Sequence, residues 1–530
     1  VPKTQQSEAT NVSVEPRSVD CVWESDFSDE SDWVLDHDSD DCSLDWEIGP
    51  DLQTGGFFPI SAIASSNGYY AMIDSDEYGG EEGGTETEDS WLTMANSVDC
   101  SSFENVIVEI DTWYRSWTYE KCFLVVSTDG TFPENLTPDS EADPDNGIYE
   151  IFPGISGDGG AELDENPSTI KINITESAGG EENVWVRFNW TGTWGYAWFI
   201  DRVCIAEQPA DDIVLSYGVV SHNSFETTDG YETGTGEEYG RTPVSLLDGE
   251  IWPSAAVFNF GVNAQEDVEL NMSIADSDGY EVLSESSFPM YGPGSDGYID
   301  LGSALSGPVE SGSSVLFETA TDVTSSMGPD TYTATFTVSS TGDSDGENNS
   351  VEREFAITSN QYSVDGIDVY SNPDMSRLGT HNFSGDAADG FMMMTYYDFP
   401  IETTITGVTI MLDTYWYADL QATNGDDFCE YAGCTVPGGE FIVTLRDTSN
   451  VFAETFDVTD FIVESDFMLI SEEDVENGYV MVEFSEPVTL SPNAYYASVE
   501  MYSNGENNNI IILDDETIGQ PSYFSMIYLP

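Results

Sequence analysis

Three histidines, His37, His222 and His381, are the only imidazoles in this 530-residue chain. His37 sits in an acidic stretch, His222 follows an alternating apolar run, and His381 precedes Asn-Phe-Ser. A Ser-His-Asp or Cys-His constellation would have to be assembled from distant parts of the chain. No GxSxG, HExxH, P-loop or dinucleotide-binding glycine pattern occurs, so nucleophilic, zinc-dependent and phosphoryl-transfer chemistry have no motif here. Paired carboxylates for glycoside hydrolysis are a different case. With 101 Asp and Glu, pairs exist at every separation, and spacing alone singles out none.

Aromatic residues carry a more specific possibility. They gather at Trp113-Tyr114, at Trp117 and Tyr119, and at Trp194, Tyr196 and Trp198. Sugar rings stack on exposed aromatic faces, which makes Trp117, Trp194 and Tyr196 candidate ligand-binding residues. The same groups also read as core, because alternation along a strand sends every second ring inward.

The seven cysteines stand at 21, 42, 100, 122, 204, 429 and 434, with no CxxC pair to make a zinc ribbon or a thioredoxin motif. Disulfides in an oxidising compartment are the expectation. Cys429 and Cys434 frame the short Glu-Tyr-Ala-Gly loop as one such pair, the partners of the other five stay open, and an odd count leaves at least one thiol unpaired within the chain.

The formal net charge is −90, with 11 Lys and Arg. A basic patch for nucleic acid or an anionic membrane is thereby excluded. The 12 Trp, 27 Tyr and 27 Phe are too many for a solvated polar tract, so the chain folds. Its carboxylates repel one another unless salt or divalent cations screen them, which predicts a saline or calcium-containing medium. No stretch approaches the roughly 18 apolar residues of a membrane span. Residues 1–19, rich in Ser, Thr and Glu, read as the N-terminal arm of a processed, secreted chain.

The elements that must position these residues are strands. Val106, Val108 and Ile110 alternate with Ile107 and Glu109, Val184, Val186 and Phe188 alternate with Trp185 and Arg187, and Gly, Asp, Asn and Pro punctuate the runs. The fold class is all-β: three tandem β-sandwich domains over 20–207, 208–358 and 359–530. Polar links at Glu207 to Asp212 and at Thr358 to Tyr362 set the boundaries. The acidic segments Asp74 to Asp89 and Thr227 to Gly240 read as exposed loops, with Tyr231 and Tyr239 as spacers or contacts. The Met392-Met-Met-Thr-Tyr-Tyr-Asp-Phe399 run is apolar on both faces, which predicts a strand buried in the domain core or against another subunit.

Several segments resemble known extracellular modules. Trp23 to Phe27, Asn67 to Ile73, Trp91 to Asp99, Val125 to Gly130, Val186 to Phe188 and Trp194 to Val203 follow in the order of a MAM or cleaved-adhesin jelly roll. Ala256 to Gly261, Val268 to Ile274, Asp276 to Gly279 and Gly328 to Phe336 are similar to the immunoglobulin-like CARDB spacer. The strands Thr404 to Leu412, Glu440 to Leu445, Gly478 to Phe484 and Ala494 to Met501 resemble the sandwich that precedes sorting domains of type IX secretion substrates. Together they imply a secreted multidomain surface protein of Bacteroidota type. The jelly-roll resemblance further implies a structural calcium, with Asp201 as the closing acid and Asp26 or Glu24 as the opening one. Here Arg202 replaces the usual second Asp, and Asp201 can instead pair with it or cap a turn. The function this implies is a non-catalytic extracellular or cell-surface adhesin, or an appendage subunit, that meets a glycan, a surface protein or copies of itself. The alternative is a carbohydrate-binding accessory region of a secreted hydrolase.

Overall fold

Alternating apolar runs become paired sheets in the computed structural model, which describes most residues from 21 onward. Outside the described residues lie 1–20, 80–86, 226–235, 368–374, 383–388, 414–434, 516–522 and shorter stretches. The protein is all-β, built of packed sheets joined by turns and a few one-turn helices. Among the described residues, no helix is long and apolar enough to cross a membrane.

In the N-terminal part, one sheet orders Glu47–Pro50, Tyr69–Asp74, Ala197–Glu207, Val106–Arg115 and Ser168–Asn173, with Cys21–Ser25 also on Ala197–Glu207. The facing sheet orders Trp33–His37, Glu88–Met94, Trp185–Gly192, Lys121–Ser127 and Ile148–Glu150. Ile73, Val108, Ile110, Trp198 and Ile200 from the first meet Leu92, Leu124, Val186, Phe188 and Trp190 from the second. Residues one step out of phase, Tyr70, Met72, Trp113 and Phe199, bury the outer face of the first sheet against Ile63. This is the period-2 rule acting on both faces of one sheet. Burial of each large apolar side chain contributes about 1.5–3 kcal/mol.

The next two sheets lie within residues 213–358, and their core joins Leu215, Val257 and Phe317 to Leu270, Tyr332, Phe336 and Phe355. In the C-terminal part, Val463–Glu464, Glu440–Asp447, Asn493–Tyr502, Phe391–Phe399 and Ser525–Tyr528 form one sheet, with Met468–Leu469 also on Glu440–Asp447. The pairs Met375–Gly379 with Ile511–Asp515 and Thr403–Met411 with Tyr479–Leu490 complete it, linked by a bridge from Leu412 to Ile512. The methionine-rich strand pairs on both edges, and Phe391, Met392, Met394 and Phe399 are buried. Its apolar character is explained by its own sheets at the methionines and by Tyr239, from the preceding sheets, at Tyr397.

The link after Glu207 is packed. The Gln208 amide donates to the Phe260 carbonyl at 2.6 Å, and Asn173 donates to Gln208 at 2.9 Å. Lys171 lies 4.0 Å from Asp212 and 5.0 Å from the centre of the Phe260 ring. Cys21 and Cys204 form a disulfide beside this contact, while Cys42, Cys100 and Cys122 are buried thiols. Cys429 and Cys434 lie outside the described residues.

Among the described residues, several of the few cations are drawn into internal contacts. Arg202 meets Glu109 at 2.7 Å, Arg353 meets Glu238 at 2.9 Å, and Lys121 meets Glu150 at 3.2 Å. Arg446 is fully buried and donates to the carbonyls of Val458 at 2.9 Å and Asp460 at 3.0 Å. With 101 acids against 11 cations, the melting temperature is expected to climb as NaCl rises from about 0.05 M to about 1 M, where the Debye length falls to ~3 Å. A flat calorimetric series would show that this repulsion does not limit stability.

Candidate functional site

One end of the N-terminal sandwich gathers the aromatic residues, and two turns decide which of them face water. Within the strands, Trp113, Tyr114, Trp190 and Trp198 are buried. In the turns, Trp117, Tyr119 and Trp194 are 44%, 48% and 42% exposed. Strand alternation sorts the first group and has no hold on the second.

Trp117, Tyr119 and Glu120 lie between Val106–Arg115 and Lys121–Ser127. Glu120, 1% exposed, folds its carboxylate back onto this turn. It accepts from the backbone N–H of Trp117 and, at 2.8 Å, from that of Tyr119. The Tyr119 hydroxyl donates to Asp139 at 2.6 Å. Trp117 packs edge-on against Tyr196, with ring centres 5.4 Å apart, and the Arg115 guanidinium lies 4.9 Å from the centre of the Tyr196 ring.

The opposing turn, 193–196, joins Trp185–Gly192 to Ala197–Glu207. Trp194 adopts φ +52°, a left-handed conformation that costs a non-glycine residue energy and persists only where its surroundings impose it. Three groups impose it. Glu88 accepts the Trp194 backbone N–H at 3.0 Å, Ser75 Oγ accepts that of Gly195 at 2.7 Å, and Asp76 accepts the Trp194 indole N–H at 3.2 Å. Gly195 admits no side chain, since a Cβ would lie 2.9 Å from the Trp190 ring.

Glu88 is the hub of this arrangement. It is 0% exposed and also accepts from the Trp190 indole at 2.8 Å and from the Ser75 hydroxyl at 2.8 and 2.9 Å. Burial pushes its carboxyl above the usual range, its hydrogen bonds oppose that, and the nearby Glu120 charge adds to it. Both carboxylates are turned inward, Glu120 onto its own turn and Glu88 from a neighbouring strand onto the 193–196 turn, where they hold exposed rings in place.

The acidic segment Asp74 to Asp89 is therefore not simply an exposed loop. Ser75–Tyr78 forms a helical turn capped by Asp74, and Glu88 and Asp89 are buried at the start of a strand. Available donors explain the difference: indole, hydroxyl and amide groups compensate Glu88 for leaving water. In the second acidic segment, Tyr239 is not a spacer; it is 1% exposed, against Tyr362 and Phe524. Residues 226–235 of that segment, Tyr231 among them, lie outside the described residues.

Asp201 and Asp26 border one loop. Asp201 occupies a β-bulge, since Ile200 pairs with Thr112 while Arg202 pairs with Asp111. Its carboxylate accepts from Ser65 Oγ at 2.5 Å. Asp26 is exposed and closes its own turn, accepting from the Ser28 N–H at 3.1 Å and hydroxyl at 2.6 Å, bonds that hold its carboxyl below the usual range. Arg202 turns to Glu109, with Glu24 at 3.8 Å. Among the described residues, no three of His, Cys, Asp and Glu converge on a point. Calcium takes about six to eight oxygens, of which these two acids could supply only a part.

The histidines are dispersed. His37 lies 2.7 Å from Asp45, and His222 is buried with Nε2 2.8 Å from Thr242 Oγ1. His381 sits in a short turn of the C-terminal part.

No protein-family model matches the chain, and no curated protein matches its sequence. Solved structures similar to parts of it include the glycoside hydrolase domain of Endo-D from Streptococcus pneumoniae R6, at 13% identity and TM-score 0.20 over 62% of this chain and 38% of that one. Another is a β-glucuronidase from Bifidobacterium dentium, at 10% identity and TM-score 0.23 over 65% and 49%. A third is the β-glucuronidase of Parabacteroides merdae, at 10% identity and TM-score 0.25 over 59% and 34%. The chain spans less than half of each, and likeness at this level assigns it neither a site nor an activity.

Substituting Glu88→Ala removes the acceptor of the Trp190 indole and of the Trp194 amide. The expected loss is about 2–5 kcal/mol, read from urea unfolding. An unchanged midpoint would show that Glu88 does not hold the turn.

Proposed function

We propose that this chain is a non-catalytic extracellular binding protein whose N-terminal sandwich takes a glycan on its aromatic end. In this reading it is the carbohydrate-recognising accessory region of a larger secreted hydrolase, of the multidomain surface type its sequence resemblances imply. The observation that carries the reading is the exposure of Trp117 and Trp194 in a sandwich that buries Trp33, Trp46, Trp113, Trp190 and Trp198. Leaving two indoles in water while holding one at a left-handed φ is costly for folding and useful for stacking on a sugar face. The inward orientation of Glu88 and Glu120 supports binding over acid–base chemistry at this end.

A second reading, an adhesin or appendage subunit contacting a surface protein or copies of itself, draws on the C-terminal sandwich. There Phe467 and Leu469 are 54% and 57% exposed beside the edge strand Met468–Leu469. Sedimentation velocity of the full chain across concentration tests this reading, and a single monomeric species throughout counts against it.

The glycan reading is tested on an array and by affinity electrophoresis in soluble polysaccharides. Trp117→Ala and Trp194→Ala are each expected to weaken binding about tenfold or more, because one aromatic contact contributes about 0.5–1.5 kcal/mol beyond its buried area. Their melting temperatures should stay near that of the parent chain. Binding that is absent in the parent, or unchanged in both variants, would remove the proposal.

A further inference from the structure

Glu237, 4% exposed, lies where the 213–358 sheets meet the C-terminal sheets. From its own side, its backbone N–H donates to Asn223 Oδ1 at 2.8 Å and its carbonyl accepts the His222 N–H at 2.8 Å. From the C-terminal side, the Tyr523 hydroxyl donates to its carboxylate at 3.0 Å, and the Tyr396 hydroxyl also bonds it. Asp398, half-buried, is the anion whose charge acts on it from that side, and Tyr496 lies edge-on to Tyr396 with ring centres 5.6 Å apart.

The surrounding contacts cross the same boundary or brace its C-terminal side. Tyr239 packs against Tyr362 with ring centres 4.4 Å apart and planes tilted by 34°, and its hydroxyl accepts the Asp398 N–H at 3.0 Å. The Tyr362 hydroxyl donates to the Asp398 carbonyl at 3.0 Å. The cations nearby are engaged elsewhere: Arg353 is paired with Glu238, and Arg241 donates to the carbonyls of Asp365 at 3.2 Å and Gly366 at 2.6 Å. Asp515, at the edge of the cluster, accepts from the Gly366 N–H and acts on Arg353. An acid thus sits in a cage of tyrosines with a second acid opposite and the guanidinium groups turned to other partners.

We propose that this junction is a pH-responsive joint between the second and third sandwiches, closed while Glu237 carries its proton and loosened when it ionises. Protonated, the carboxyl is a neutral partner for the tyrosine hydroxyls. Ionised, it places a second negative charge opposite Asp398 in a buried space, and separating the sandwiches returns that charge to water.

The direction of the effect follows from linkage. Burial pushes Glu237 up to about 7, Asp398 adds to this, and the hydroxyl and amide bonds oppose it. Asp398 is itself raised by burial and acts in the same sense. His222, pushed down to about 4 by burial, stays neutral across the window, and the tyrosines, shifted upward, stay protonated. The closed joint retains a proton that the open one releases. Its stability is therefore full below the ordinary glutamic pKa, falls as pH rises toward about 7, and changes no further above that.

Hydrogen exchange on the full chain, corrected for intrinsic rates and run in constant high salt, tests the joint. Protection of the amides of His222, Arg241, Ser363 and Asp398 should fall about tenfold or more between pH ~5.5 and ~8. Glu237→Gln should flatten that profile. Asp398→Asn should make the fall smaller and end it at lower pH, because Glu237 then ionises more easily inside the closed joint. A parent profile flat in pH, or one that both variants leave unaltered, overturns the proposal. Should Glu237→Gln fail to fold, the Asp398→Asn profile decides, and a fall as large as the parent's overturns the joint.

Discussion

Charge imbalance is the constraint on which this architecture rests. With 101 acids against 11 cations, attraction between surface charges cannot hold neighbouring elements together. Cohesion falls to apolar sheet faces, and cations among the described residues are placed where they touch aromatic rings, buried acids or backbone carbonyls. Lys171 bridges Asp212 and Phe260 at one junction, while Arg241 caps carbonyls of Asp365 and Gly366 at the other. Arg187 lies 4.0 Å from the centre of the Phe132 ring and 4.6 Å from that of Trp91. Lys171 and Arg187 gain from ring quadrupoles and Arg241 from carbonyl dipoles, contacts that salt screens less than exposed pairs.

The same economy explains the buried acids. Glu88, Glu120 and Glu237 each sit among hydroxyl, indole or amide donors, which compensate a carboxylate for lost water where cations are scarce. At the sandwich end these bonds fix two turns and hold rings outward. At the junction they tie one sandwich to the next. The chemistry is shared, but the donors differ: backbone and indole N–H groups surround the first pair, whereas tyrosine hydroxyls meet the last.

Much of this was legible in the residues. Alternation at Val106 to Ile110 and Val184 to Phe188 placed the strands, and the methionine run at 392–399 marked a strand covered on both faces. The candidate site was half legible. Trp117, Trp194 and Tyr196 were visible as aromatic clusters, whereas Glu88, Glu120 and Asp76 were hidden among many acids of identical type. A glutamate three residues before Trp91 gave a weak signal, since a charged residue at a strand start is as often solvated as buried.

The sequence by itself determined the all-β class, the acidity of the chain and the clustering of its aromatics, because each follows from composition or from a two-residue period. Only tertiary structure decided that Cys21 meets Cys204 across a separation of 183 residues, that Tyr239 is core, and that Asp201 sits on a bulge. It also decided that Trp117 and Trp194 are the rings left in water. The reason is the range of the interactions: strand periodicity is written between neighbours, whereas turn geometry, bulges and the burial of an acid depend on donors supplied by segments far away in the chain.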